Sequence, residues 1–147
     1  MLPTQIKSAK ISHSDFFRFI RCGEISNVEN ALNFDKLYNF ILVNGTDMDG
    51  WNSIHICSAF GSPEILNILI HYAGDDFSIN ERTEYGYTPI LLAAQYENLS
   101  IFKELLKYKP DLSLTDNGCK SIYTHLSKIM EKLDAEIRTL FDLGEDI

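Results

Sequence analysis

Residues 49–59 of this 147-residue chain read DGWNSIHICSA, and residues 85–95 read YGYTPILLAAQ. The two stretches carry glycine, helix-capping and apolar residues in the same order, and their glycines, Gly50 and Gly86, are 36 residues apart. That distance is close to the period of arrays built from pairs of helices. One such unit cannot bury its own apolar face, whereas stacked units bury a continuous core. The repetition therefore predicts an extended solenoid that presents a surface to other molecules.

Each copy is preceded by a turn-rich segment, which we call a finger. The fingers span residues 43–50 and 79–86, and they share a β-branched residue, an asparagine and a glycine in the same register. Asparagine and glycine tolerate the backbone conformations of tight turns. The pattern predicts a short hairpin at each finger.

Helix starts follow the fingers in both copies. Thr88 is a good N-cap with Pro89 at the first helical position, and Asn52 serves in the other copy. A second helix begins after Ser62 in one copy and after Asn98 in the other, because each precedes an apolar stripe at helical spacing. Each unit is therefore predicted to be a finger, an inner helix and an outer helix.

Residues 86–94, GYTPILLAA, resemble the ankyrin-repeat signature, in which a Thr-Pro-Leu-His-x-Ala block opens the inner helix. Residues 52–55, NSIH, are a looser copy that keeps the histidine. The resemblance implies an all-α ankyrin-repeat solenoid of helix-turn-helix units with short β-hairpin fingers, in which residues 1–147 form a single domain. The implied units are an N-terminal capping repeat (14–42), two repeats (43–78 and 79–112) and a degenerate C-terminal repeat (113–147).

The last unit departs from the pattern. It is predicted to start at Gly118, with residues 120–123, KSIY, in place of the signature block. Ile122 and Ile137 are fifteen residues apart where the equivalent residues of the other copies are eleven apart. Its inner helix or its turn is therefore longer. Residues 144–147, GEDI, resemble the step into another finger, so a further repeat is left open.

Composition narrows the functional classes. With 45% hydrophobic residues the chain can form a core of its own, and it contains no run of about eighteen apolar residues that would cross a membrane. The start lacks the apolar core of a secretion signal, so we expect a cytoplasmic location, or the cytosol of a host if the chain is an effector. The net charge of −8 argues against nucleic acid as a partner.

The residues that could carry chemistry are scattered. No histidine has a second histidine or a cysteine three or four residues away, and the three cysteines lack metal or disulfide spacing. Cys57 stands where a small buried residue is expected. The resemblance implies that His55 forms a structural hydrogen bond to the neighbouring repeat. We therefore expect no enzyme activity, no metal and no cofactor.

The aromatic residues of the two clear repeats point to a binding surface. In ankyrin arrays the positions beside the finger glycine and at the end of the inner helix face the concave side. Large rings at such positions are favoured binding anchors. The alternative is that Trp51 and Tyr87 lie flat on the next repeat and only seal the stack. The candidate partner-binding residues at these positions are Met48, Trp51, Phe60, Tyr85, Tyr87 and Tyr96.

Acidic residues are concentrated in the fingers. Against Arg82, these segments carry Asp47, Asp49, Asp75, Asp76, Glu81, Glu84, Asp111 and Asp116, a net of −7. Such an acidic edge would raise the rate of association with a basic partner. The alternative is that these carboxylates are simply solvated loop residues with no role in binding. We assign Asp47, Asp49 and Glu84 to an acidic rim of the binding surface.

These features favour a non-catalytic, monomeric protein–protein interaction module whose partner carries a basic segment, without nucleic acid or membrane. Two roles fit: an inhibitor that masks a basic segment, or a host-directed effector of a microbe or virus. A structural or regulatory fragment of a larger multidomain protein is the alternative. Catalysis is a remote third.

Overall fold

The structure, a computed structural model, describes residues 11–33, 36–74 and 77–141. Within these ranges the chain forms helices and connecting turns and has no β-strand. The helices are α1 (His13–Arg21), α2 (Ile25–Leu32), α3 (Lys36–Asn44), α4 (Ser53–Phe60), α5 (Pro63–Ala73), α6 (Pro89–Gln95), α7 (Leu99–Leu106) and α8 (Ile122–Phe141). None of the helices in these ranges is long and apolar enough to cross a membrane.

The helices form two stacked rows. In the inner row α1 packs on α4, α4 on α6 and α6 on α8. In the outer row α2 and α3 contact α5, and α5 contacts α7. The apolar stripes of both rows meet in one continuous core, in which Leu66, Leu69 and Leu92 are fully buried. The predicted all-α solenoid is confirmed.

Three helix starts follow local sequence as expected. The Asn52 Oδ1 accepts a hydrogen bond from the His55 N–H at 3.0 Å. The hydroxyls of Ser62 and Thr88 accept from N–H groups three residues on, and a proline follows each of them. These side chains satisfy backbone donors that the first helical turn leaves open.

Asn98 behaves differently from Ser62, although both stand before an outer helix. Its side chain makes no capping bond. Instead, its amide nitrogen donates to the carbonyl oxygens of Ser58 (3.4 Å) and Gly61 (3.1 Å) in the preceding repeat. Asn98 therefore stands at the start of α7, but its side chain joins two repeats instead of capping the helix.

Three five-residue turns of one design form the fingertips, at residues 47–51 in the first finger, 83–87 in the second and 116–120 in a third. The first residue of each donates its N–H to the carbonyl oxygen four residues on, and its side chain accepts from that residue's N–H. The pairs are Asp47 with Trp51 (2.9 and 3.0 Å), Thr83 with Tyr87 (2.9 and 3.1 Å) and Asp116 with Lys120 (3.1 and 3.0 Å). A further bond, from the N–H three residues on to the carbonyl oxygen of the first residue, tightens each turn, and in the described residues the predicted hairpins contain no β-strand.

Neighbouring fingers stack through their backbones. The Glu84 N–H donates to the Asp49 carbonyl oxygen, and the Asn117 N–H donates to the Tyr85 carbonyl oxygen, both at 2.9 Å. This close approach explains the glycines. Gly50 and Gly86 have φ angles of 79° and 85°, and a Cβ on either would lie within 3 Å of the next finger's backbone nitrogen.

In the third finger the position equivalent to Gly50 and Gly86 is Cys119, with φ 62°. The sequence-based register, which aligned Gly118 with these glycines, is wrong by one residue. The turn is set by Asp116, whose side chain accepts from the Lys120 N–H. Residues 144–147, which the sequence left open as a step into another finger, lie outside the described residues.

The strain at Cys119 leads to a prediction. A non-glycine residue in the left-handed region costs about 1–2 kcal/mol of folding free energy. Replacing it with glycine removes this strain, but part of the gain is lost because glycine makes the unfolded chain more flexible. Cys119→Gly is therefore expected to raise the free energy of unfolding in urea by about 0.5–1 kcal/mol. Cys22→Gly is the matched control, because Cys22 is also exposed but has φ −84°. A Cys119→Gly protein no more stable than the control variant would contradict the assignment.

Helix α3 is a departure from expectation. Val43 and Asn44, predicted to open the first finger, are its last residues. The apolar run from Leu37 to Val43 buries Leu42 and Val43 against the core. Burial of that run outweighs the turn preference of Asn44, so the first finger is shorter than the second.

The longer spacing in the last unit has a simple cause. Helix α8 is one uninterrupted helix of 20 residues. Ile122 and Ile129 are buried on its inner side. The Lys132 ammonium forms an ion pair with the Glu97 carboxylate, N to O 2.5 Å, which ties α8 to the turn between α6 and α7.

Candidate interaction surface

Three of the predicted aromatic residues lie close together. Trp51 follows the first finger, Phe60 ends α4, and Tyr96 follows α6. The ring centroids of Phe60 and Tyr96 are 4.9 Å apart, and that of Trp51 lies 6.4 Å from Phe60 and 6.2 Å from Tyr96. Trp51 is nearly parallel to Phe60, and Tyr96 stands across both. We call these three residues the aromatic cluster.

The aromatic cluster is open to solvent in part. Phe60 is 45% exposed and Tyr96 44%, whereas Trp51 is partly buried against the core. Because the rings contact one another, a ligand could meet the cluster only on its outer faces.

Tyr85 and Tyr87 do not join the aromatic cluster by any ring contact. Tyr87 instead faces His125 of α8, with 6.1 Å between ring centroids, and Tyr85 is exposed at the tip of the second finger. Both line a separate pocket of about 220 Å³ with Asn117 and Lys120. The single patch of five rings expected from sequence is thus two neighbouring groups.

Tyr87 has a partner inside the fold. Burial, followed by the charge of Asp116, raises the pKa of its phenol. The Asp116 carboxylate is also 3.2 Å from the His125 Nε2. Burial alone would raise the pKa of Asp116, but hydrogen bonds from the Lys120 N–H and His125 outweigh it and hold the pKa below its ordinary value. These contacts agree with the packing alternative for Tyr87.

The acidic rim is only partly free. Asp49 and Glu84 are exposed, as is Met48 at the first fingertip. The Asp47 Oδ1, by contrast, accepts from the N–H groups of Asp49 (2.9 Å) and Trp51 (3.0 Å). Asp47 therefore shapes the turn that positions Trp51, in addition to carrying charge.

The net of −7 overstates the charge on the finger edge. Asp116 is buried, so its charge is not displayed to a partner. Arg82 donates to the Thr115 carbonyl oxygen at 2.6 Å and so holds the second and third fingers together. Asp75 and Asp76 lie outside the described residues.

His55 has the structural role that the resemblance implied. It is fully buried, and its Nδ1 accepts from the Asn52 N–H at 3.0 Å. The Nε2 therefore carries the proton and donates to the Glu81 carbonyl oxygen at 2.8 Å, in the next repeat. Burial lowers the pKa of His55, although the bond to Glu81 and the Asp47 charge oppose this.

Cys57 is a buried core residue. Its thiol lies against Gly61, and burial raises its pKa to about 12. A thiol that stays protonated is a poor nucleophile. In the part of the chain that the structure describes, no group of three or more histidine, cysteine or acidic residues could hold a metal ion.

Sequence reasoning missed the contacts between repeats. Asn98 and Asn117 each join neighbouring units, and the Asp116–His125 pair joins the third finger to α8 within the last unit. A signal for Asp116 was present, because Asp47, Thr83 and Asp116 recur at intervals of 36 and 33 residues. For the two asparagines no pattern in the sequence distinguishes a bridging amide from an ordinary turn residue.

Comparison with known families agrees with this geometry. A family model described as ankyrin repeats, three copies, matches residues 25–116, which is more than half of the chain. A search of curated proteins gave no significant match. Ankyrin repeats are in general protein–protein interaction modules and typically non-catalytic. The two helical rows, the stacked fingers and this match together establish that the chain belongs to the ankyrin-repeat family.

Proposed function

We propose that this chain recognises a protein segment that lies across the aromatic cluster. The observation that supports this is the nearly half-exposed pair of rings, Phe60 and Tyr96, each of which contacts the ring of Trp51. Exposed aromatic rings on a rigid support lose little conformational freedom on binding, which is why they are frequent hot spots.

The proposed partner segment is apolar or aromatic where it meets the cluster and basic where it passes the first two fingers. Asp49 and Glu84 are exposed there, and the Asp49 carbonyl oxygen accepts from the Glu84 N–H, which places the two residues side by side. Such charges mainly raise the association rate, and their effect falls with added salt. Met48, at the same fingertip, adapts to the partner's shape.

The finer roles belong to the same proposal. We propose a monomer that works in the cytoplasm, or in a host cytosol as an effector. It would act as a host-directed effector or as an inhibitor that masks a basic segment. Free thiols at Cys22, Cys57 and Cys119 agree with a reducing compartment. A structural or regulatory fragment of a larger protein is the second candidate, and it requires no contact at the aromatic cluster.

Alanine substitution separates the two candidates. A binding partner would first be isolated by two-hybrid selection with the whole chain, and its affinity then measured by calorimetry. Phe60→Ala and Tyr96→Ala are each expected to weaken binding by about 2 kcal/mol, or roughly 30-fold, the range of interface hot spots. Both rings are nearly half exposed, so they are better probes than Trp51, whose loss would also disturb the core.

Tyr123→Ala is the matched control, because Tyr123 is an exposed tyrosine on α8 whose ring does not contact those of the cluster. Its affinity should stay within about twofold of the unmodified chain. Urea unfolding of all three variants separates binding from folding. Equal affinity for Phe60→Ala, Tyr96→Ala and Tyr123→Ala would refute the aromatic surface and favour the fragment.

A further inference from the structure

The pocket between the second and third fingers is a candidate for a second binding site. Its volume of about 220 Å³ exceeds the roughly 150 Å³ of a cavity that holds benzene, so it has room for one six-membered ring. Two tyrosine rings form one wall, and residues of the third finger form the other. The lining residues are Tyr85, Tyr87, Asp116, Asn117, Gly118 and Lys120.

Hydrogen bonds between the two fingers hold this pocket in shape. The Tyr85 carbonyl oxygen accepts from the Asn117 N–H, and the Glu84 carbonyl oxygen accepts from the Asn117 side-chain amide, both at 2.9 Å. Arg82 adds a bond to the Thr115 carbonyl oxygen at 2.6 Å. Because these bonds form without a ligand, a ligand that enters the pocket spends little free energy on ordering its walls.

The charged groups of the pocket disfavour a small ion. The Asp116 carboxylate is buried, accepts from the Lys120 N–H at 3.0 Å and lies 3.2 Å from the His125 Nε2. Lys120 is exposed, and among the described residues no carboxylate forms an ion pair with its ammonium. That ammonium repels a cation, while Asp116 and the net charge of −8 repel an anion. A neutral group is therefore the better occupant.

An aromatic ring makes the fullest use of this lining. Tyr85 and Tyr87 offer ring faces and edges, and pairs of aromatic rings gain free energy beyond the burial of apolar area. The Lys120 ammonium can lie over the outer face of the bound ring, where the π electrons attract it. A saturated ring of the same size gains neither contribution.

We propose that this pocket takes one aromatic side chain of the partner segment. The source of that side chain rests on the proposed function, whereas the affinity of the pocket for an aromatic ring does not. The partner would then be held at two places, on the aromatic cluster and between the second and third fingers.

Binding of p-cresol, the side chain of tyrosine as a free molecule, tests the pocket without any partner. Nuclear magnetic resonance of the whole chain with labelled tyrosine rings should show saturable shifts of Tyr85 and Tyr87, with a dissociation constant on the order of 1 mM. The saturated analogue 4-methylcyclohexanol should bind about fivefold more weakly. Equal affinities of these two probes, no saturable shift with p-cresol, or tighter binding of methylguanidinium would overturn the proposal.

Variants of the pocket give the matched comparison. Tyr85 is 59% exposed at a fingertip, so its replacement should leave the fold intact. Tyr85→Ala is expected to weaken p-cresol binding at Tyr87 about tenfold, whereas Tyr85→Phe keeps the ring and should stay within about twofold. Lys120→Gln should cost about threefold. Tyr123→Ala, outside the pocket, is the control and should change nothing. Equal affinities for Tyr85→Ala and this control would overturn the proposal.

The partner isolated with the whole chain gives the second readout. Tyr85→Ala is expected to lower its affinity about tenfold, and Tyr85→Phe to retain it. A loss with Tyr85→Ala but not with Phe60→Ala would keep this pocket and refute the aromatic cluster. A loss with Phe60→Ala but not with Tyr85→Ala would keep the aromatic cluster and overturn the present proposal.

Discussion

Replacing His55 with alanine is expected to lower the free energy of unfolding by about 3 kcal/mol. The change leaves a cavity in the inner row, orphans the buried Asn52 N–H and removes the donor to the carbonyl oxygen of Glu81, an exposed residue. The orphaned N–H costs about 1–3 kcal/mol, and the cavity and the lost bond to Glu81 add to this. Urea unfolding followed by circular dichroism measures the loss.

His55→Leu separates the cavity from the hydrogen bonds. The second repeat carries Leu91 at the equivalent position, fully packed, so leucine at position 55 suits the space but offers no polar atoms. We expect this variant to lose about 2 kcal/mol, less than alanine but well above zero. A His55→Leu protein as stable as the unmodified chain would show that the bridge from Asn52 to Glu81 contributes nothing.

The same residue gives the stability a dependence on pH. The pKa of His55 is lowered in the folded state, so the unfolded chain binds its proton first as the pH falls. Stability is full above the unfolded value near 6.5 and declines as the pH falls toward the folded pKa, by up to about 1.4 kcal/mol per pH unit. Between pH 7.5 and 5 the free energy of unfolding should therefore change less with pH in His55→Leu than in the unmodified chain. Parallel profiles would contradict this.

Local chemistry made much of the fold predictable. Asn52, Ser62 and Thr88 cap helices in the structure, as their positions in the sequence predict. A capping bond involves only residues three apart, so no distant segment alters it. The bridge from His55 also followed from the signature position, because each repeat has the same neighbours.

Features that depend on distant neighbours were not predictable. Asn98 resembles Ser62 in sequence, yet its amide finds two carbonyl oxygens in the preceding repeat and leaves the helix uncapped. Helix α3 forms because the core has room for Leu42 and Val43, which the turn signals around Asn44 do not reveal. Packing against other elements overrides local preference in both cases.

The candidate site shows the same division. That Trp51, Phe60 and Tyr96 lie close together was predictable, since equivalent positions of stacked repeats are neighbours. That Tyr87 is drawn toward Asp116 and His125 was not, because those residues belong to the divergent last unit. The register of the third finger depends on which residue adopts a positive φ. Gly118 was the expected residue because glycine favours that conformation, but Cys119 adopts it.

Gly86→Ala is expected to cost about 3 kcal/mol or more. The φ of 85° already strains an alanine, and its Cβ would lie 2.4 Å from the Asn117 Oδ1 and 2.7 Å from the Asn117 nitrogen. Gly74→Ala is the matched control, because Gly74 has φ 81° and open space around the added Cβ. We expect the control to lose only about 1–2 kcal/mol from backbone strain.

The difference between the two variants measures how strongly the fingers hold the array together. Stability in such arrays is a sum over neighbouring units, so displacing Asn117 should uncouple the third finger and α8 from the rest. The urea transition of Gly86→Ala should then broaden, with a lower dependence of unfolding free energy on urea, whereas Gly74→Ala keeps the original slope. Equal losses and equal slopes would mean that the third finger yields without cost, and that the finger contacts do not couple the repeats.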